Sequence, residues 1–205
     1  MNITNMIASI VTATATLGLF VVGVIGLTGW RRQTNWNESH DLAKRLLHNV
    51  YKLREMVYAN RNPFVSPGEA EDPNSDDWDK SAYEKRWSRV TAAQVELDAA
   101  MTEAEVLWGK ETPLTEAEMK LRRHVGKLFL AIKHFLNNDG PNVGLFTRED
   151  ENVLYSTSAY NGGNLDTYDT ELNEIIGEYE TYLGQYLGRK KYRGVAVGTD
   201  GTDGK

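Results

Sequence analysis

The side chains of this sequence best suited to metal or acid–base work are its four histidines, His40, His48, His124 and His134. None stands in a Glu-x-x-His spacing, so a carboxylate-bridged metal pair inside a helical bundle is not expected. His124 and His134 are ten residues apart. At 100° per residue they miss a common helix face by about 80°. The serines Ser156 and Ser158 lie in a polar stretch without a Gly-x-Ser-x-Gly turn. No Gly-x-x-x-x-Gly-Lys and no Gly-x-Gly-x-x-Gly is present, so no phosphate cradle is expected either. Acid pairs such as Glu103 and Glu105 are two apart and diverge on a helix. There is no cysteine, which excludes disulfides, thiolate metal sites and thiol nucleophiles. These residues predict no catalytic group, no metal and no cofactor. The one unusual set is aromatic: Tyr168, Tyr179, Tyr182 and Tyr186, followed by Tyr192. Tyrosine buries area and keeps a polar tip, so the stripe suits either a core or a partner surface.

The element before all of these is an apolar run. Residues 1 to 30 hold no charged side chain, and the core from Met6 to Trp30 is 25 residues long. As a helix it measures about 37 Å, enough to cross a hydrocarbon layer of about 30 Å with some tilt. Trp30 closes it, and Arg31 and Arg32 follow, the order of an aromatic belt and then head-group cations. A cleaved signal peptide would need a basic leading region, which MNITNM lacks. From Arg31 to Arg61 there are seven Lys or Arg against three acids. That bias predicts an N-terminus outside and a C-terminal domain in the cytoplasm, at a bacterial inner membrane. Within the span, Ala8, Thr12 and Thr16 repeat every four residues and Gly23, Gly26 and Gly29 every three. Such small residues allow two membrane helices to approach, so a homo-oligomer is a candidate state.

Beyond the anchor, expected over residues 1–32, the pattern predicts an all-α domain over 33–188, an antiparallel bundle of about four helices with coiled-coil spacing. The first helix, from about Glu38 to Asn60, has Ala43, Leu46, Val50, Leu53 and Val57 on one stripe, and Pro63 ends it. After Arg61, residues 61–79 carry three prolines and six acids and read as an exposed loop. A second helix over about Asp79–Gly109 has Tyr83, Trp87, Val90, Gln94, Leu97, Met101, Ala104 and Trp108 in a 4-3 rhythm. A third opens at a capping pair, Thr115 and Glu118, with Leu121, Val125, Leu128, Ile132 and Phe135 inside. Residues 139–164 read as an irregular loop with a short helix near Thr147 to Tyr155. A last helix runs from about Asp166 to Leu187. The tail, 189–205, is basic (Arg189 to Arg193), then Gly-rich, and expected to be disordered.

The Gly-Trp-Arg-Arg-Gln exit (Gly29 to Gln33), the helix LAKRLLHNVYKLREMVYANRNPF (Leu42 to Phe64), the acidic loop after it and the aromatic second helix around Tyr83 and Trp87 resemble a group of bacterial single-span membrane proteins. The resemblance covers about residues 15 to 135, and Arg61 to Phe64 is its most specific element. It implies a topology and adds no catalytic residue.

The expected function is therefore a membrane-tethered helical interaction or scaffold protein. Its expected partners are the lipid bilayer, a second copy and a cytoplasmic protein. An acidic pI of 5.3 argues against nucleic acid. Two alternatives remain open: a membrane-bound enzyme with a pocket between helices, or an envelope or lysis factor whose domain lies outside the cytoplasm.

Overall fold

A computed structural model describes residues 3–70, 77–138, 144, 146–156 and 166–188; the side chains of residues 3–15, 21 and 32 lie outside the description. Among the described residues there are five α-helices: α1 (Ile3–Asn60), α2 (Trp78–Trp108), α3 (Pro113–Leu136), α4 (Arg148–Leu154) and α5 (Thr167–Leu183), with a short 3-10 turn at Pro67–Glu69. Among the described residues there is no strand. The chain divides into two compact units, Met1–Asp41 and Leu42–Lys205. The apolar run and the first soluble helix, whose continuity the sequence leaves open, belong to one helix, α1.

The first unit is the earlier part of α1. From Thr16 to Trp30 its described side chains are all exposed, the largest among them 47–75%. Among the described residues no helix is long and apolar enough to cross a membrane. Much of the run on which the anchor was expected, Met6 to Ala15, has side chains outside the description.

The second unit is a bundle of α1 from Leu42 onward with α2, α3 and α5. Contacts fix the directions, because each partner number falls as the other rises. Arg45 meets Glu103 and Lys52 meets Glu96. Arg122 meets Asp98 while Phe129 packs 5.2 Å from Trp87. Lys120 meets Glu178 and Lys127 meets Glu171. Tyr51 and Tyr58 of α1 bond Glu180 and Asn173 of α5. Every neighbouring pair is antiparallel and the ring closes. The stripes read from sequence supply the core: Ala43, Leu46, Val50, Leu53 and Val57 are buried, as are Leu121, Val125, Leu128 and Ile132. In α2 one row of the stripe is shifted. Trp87, Gln94 and Trp108 are half-buried, and Arg86, Ala93 and Ala100 sit inside. Tyr83, Val90, Leu97, Met101 and Ala104 of the expected stripe are buried, so the heptad repeat holds and its second row lies on the other flank, where small alanines let the neighbours close on the helix.

The helix ends follow local chemistry. α2 stops at Gly109, whose φ of +90° an L side chain adopts only under strain. α3 opens at Thr112 with Pro113 in its first turn, three residues before the expected cap Thr115; the Thr115 hydroxyl instead donates to the Lys110 carbonyl at 2.7 Å. α4 has a capping box: the Asp150 N–H donates to Thr147 Oγ1 at 3.2 Å and the Thr147 N–H to Asp150 Oδ2 at 2.9 Å. α5 is capped by Asp166, which accepts from the Asp169 N–H at 2.9 Å. It ends at Leu183, with turns continuing to Gly188. The expected loop segments 71–76 and 157–165 and the tail 189–205 lie outside the described residues.

Candidate functional site

The densest polar cluster forms where α1 ends. Arg61 is fully buried. A guanidinium carries five N–H donors, and burying it without partners would be prohibitive, so each must find an acceptor. Its Nε donates to the Val153 carbonyl at 2.6 Å, and Nη2 to the Asn152 carbonyl at 3.0 Å and to Asp166 Oδ2 at 3.0 Å. Nη1 donates to Asp166 and to Asp169. The guanidinium also lies 4.3 Å over the Tyr168 ring. Ser156 Oγ donates to Asp169 Oδ2 at 2.9 Å, and the Ser156 N–H to the Arg61 carbonyl at 2.9 Å. One cation thus faces two carboxylates. Both stand in the opening turn of α5, where the helix dipole stabilises the extra negative charge.

A second arginine fixes the segment that follows. Arg86 of α2, also buried, donates through Nη1 to the Asn62 carbonyl at 2.6 Å and through Nη2 to the Phe64 carbonyl at 2.8 Å. It forms a two-point pair with Glu69 at 2.7 and 3.0 Å. Those bonds hold the Glu69 carboxyl below the usual glutamate range. The stretch 61–69 is therefore pinned by two arginines, while Asn62, Phe64, Ser66, Pro67 and Gly68 stay exposed, as a surface loop requires. Beside it the Asn60 side chain is fully buried, and neither of its amide atoms has a hydrogen-bond partner.

His124 stands on α3 against α5. Its Nε2 lies 3.0 Å from the Tyr168 carbonyl, and the Tyr168 hydroxyl donates back to the His124 carbonyl at 3.0 Å. The two rings are 3.8 Å apart. Burial, helped by nearby Lys127, pushes the imidazole down to about 4. The ring is neutral at pH 7, so Nε2 is the donor, and the approach of Glu171 to Nδ1 at 3.4 Å is no ion pair. His134 pairs with Asp150 at 3.0 Å on the surface. Among the described residues no group of three His, Asp or Glu could hold a metal ion.

Two grooves open on this unit. One, of about 840 Å³, runs between α3 and α5 past Pro113, Glu116, Glu174 and Tyr182, and Lys120 reaches Glu116 and Glu178 within it. The other, of about 430 Å³, lies beside the Arg61 cluster and is lined by Lys127, Glu149, Asn152, Asp166 and Glu171. The polar groups of the Arg61 cluster bond one another, which makes it a structural clamp between the end of α1, α4 and α5.

The residues singled out in the sequence are not brought together. Trp30 and Arg31 are exposed on α1. The side chains of Arg32, Ala8 and Thr12 lie outside the description, and Thr16 is exposed. At Gly23, Gly26 and Gly29 nothing comes within 4 Å of where a Cβ would stand, so that face is bare. Tyr168 and Tyr179 are buried in the core and offer no partner surface. Tyr182 and Tyr186 are half-buried around Trp108, with Tyr186 stacked on it at 4.4 Å. Sequence reasoning missed Arg61, Arg86, Asp166 and Asp169. The available signal was the Asn-Arg-Asn-Pro-Phe stop itself, a base at a helix end ahead of an acidic stretch. The chain matches no family model, no curated protein and no solved structure.

Proposed function

We propose that the protein is a membrane-tethered helical scaffold. The N-terminal part of α1 lies in a bacterial inner membrane with its N-terminus outside. The bundle stands in the cytoplasm and binds protein partners. One observation carries the reading: the charge-free part of α1 exposes large apolar side chains on every side. Leu17, Leu19, Phe20, Val22, Val24, Ile25, Leu27 and Trp30 are 47–75% exposed. At 100° per residue they surround the helix with no gap wider than about 80°. A helix apolar all round needs an apolar medium on every face, and a bilayer supplies one. Trp30, with Arg31 and Arg32 after it, suits the head-group layer, and the cation excess after Trp30 favours the cytoplasmic side. The bundle supports a binding role by what it holds: paired charges on its surface and closed polar clusters. Fractionation tests this. The full chain should remain in the membrane pellet after alkaline carbonate washing; its release into the supernatant sinks the anchor.

A further inference from the structure

From Ser88 to Val106 the outward face of α2 is uncharged, where a solvated helix face is normally charged; Lys85 bounds it on the N-terminal side. Ser88, Ala92, Val95, Ala99, Thr102 and Val106 follow one another at spacings of 4, 3, 4, 3 and 4, and all six are exposed. Val95 is 62% and Val106 85% exposed. The outward faces of the other helices carry charge: Lys44, Arg45 and Glu55 on α1, Arg123 and Lys127 on α3, Glu174 and Glu178 on α5. α2 has its core stripe on the opposite side, with Val90, Leu97, Met101 and Ala104 buried. Two heptad stripes on one helix mark a helix with two sets of partners, and the bundle supplies only one.

We propose that this face of α2 docks on the same face of a second copy of the chain, the two helices parallel and related by a twofold axis along them. Charge at the flanks fits that partner. In a parallel pair, each residue at the g position meets the residue five further on in the other helix. Glu84 then meets Arg89 of the second copy, and the twofold repeats the contact. Both residues are exposed. Asp98 would meet Glu103 of the second copy, but Arg122 already holds Asp98 at 2.9 Å and Arg45 holds Glu103 at 2.6 Å, so those acids arrive compensated. Ala92 and Ala99 let the two backbones close in, while Val95 and Val106 fill the seam. The parallel direction rests on the Glu84 to Arg89 contact, and the docking face does not depend on the membrane-anchor reading.

The cysteine-free sequence makes the test direct. Ala92→Cys, Ala99→Cys and Val106→Cys are made singly in the full chain, with Glu55→Cys on α1 and Thr181→Cys on α5 as exposed controls. Membranes are mildly oxidised and dimers scored on non-reducing gels. A parallel pair sets each seam residue beside its own copy, so all three seam positions should link about five-fold or more above both controls. Linking at Ala99→Cys alone indicates an antiparallel pair and overturns the arrangement. Equal linking at seam and control positions overturns the docking face, and is also what dimerisation through the anchor alone would give. Adding Val95→Arg to Ala99→Cys should lower linking several-fold with melting unchanged, because Val95 contributes no core. A carbonate wash of the same membranes scores the anchor separately. Chains that stay in the pellet without seam links sink the seam alone. Seam links in chains that are released keep the seam and sink the anchor.

Discussion

At the scale of single residues, the bundle is organised around polar groups that an apolar stripe does not announce. Arg61 closes α1 onto α4 and α5 with every donor engaged, so its removal leaves Asp166 and Asp169 buried without their cation. Arg61→Ala should lower the unfolding free energy by about 3–5 kcal/mol in urea titrations. Arg61→Lys should recover only part of that, because one ammonium cannot reach the Val153 and Asn152 carbonyls and two carboxylates at once. A loss below about 1 kcal/mol for the alanine variant would mean the cluster does not hold α5 in place. His124 gives a pH signature. Its folded pKa, about 4, lies below its ordinary 6.5, so the unfolded chain takes up the proton first. Stability from this residue is complete above pH 6.5 and drains away as the pH falls toward 4, by up to about 3 kcal/mol. Denaturation midpoints of His124→Gln should fall less steeply than those of the unmodified protein between pH 7 and 4.5; parallel slopes would refute the assignment. Neither Arg61 nor His124 was legible as buried. Arg61 finds its carboxylates 105 and 108 residues later, a separation that no local pattern reports.

At the scale of elements, periodicity did most of the work. The repeating apolar positions of α1, α3 and α5 are visible because a helix that buries one face must repeat about every 3.5 residues. Adjacent positions on α2 should therefore behave very differently. Leu97 is 2% exposed, and Leu97→Asp places an unpartnered carboxylate in the core, enough to unfold the domain or cost several kcal/mol. Glu96 pairs with Lys52 at 2.7 Å, but both side chains are nearly half exposed, so Glu96→Lys should cost about 1 kcal/mol or less. Similar melting shifts for the two would mean that α2 does not face the core as described. What periodicity blurred was the second row of α2. With apolar or small residues on two sides, the row through Trp87, Gln94 and Trp108 was as regular as the true one through Arg86, Ala93 and Ala100. The exposed face through Ala92, Val95, Ala99 and Val106, opposite both rows, is the one to which we assign the second copy.

At the scale of the whole molecule, the cations after Trp30 are what would orient the chain in a bilayer. Arg31 and Arg32 are the first charges after the apolar run, and residues 1–5 carry no charged side chain. Replacing both with Asn and adding two lysines after Met1 should reverse the charge difference and turn a sizeable fraction of chains around. Protease added to intact spheroplasts reads the result. The bundle should be protected in the unmodified protein and cleaved in the altered one. Cleavage of the unmodified protein would place the bundle outside and favour the envelope-factor alternative.

The sequence alone determined the all-helical class, the main apolar stripes and several helix ends, because each depends on neighbours within a turn or two: a proline after Asn62, a glycine at 109, a threonine and aspartate around α4. The charge-free run before Arg31 is equally local, a matter of what is absent from 30 consecutive residues. Tertiary structure decided which helices are neighbours, that Tyr168 and Tyr179 turn inward, and that the stretch after Asn60 is clamped by two arginines. Those outcomes depend on groups far apart in the chain meeting at hydrogen-bond distance. A buried charge is tolerable only where its partners converge, and that convergence exists only once the helices have packed.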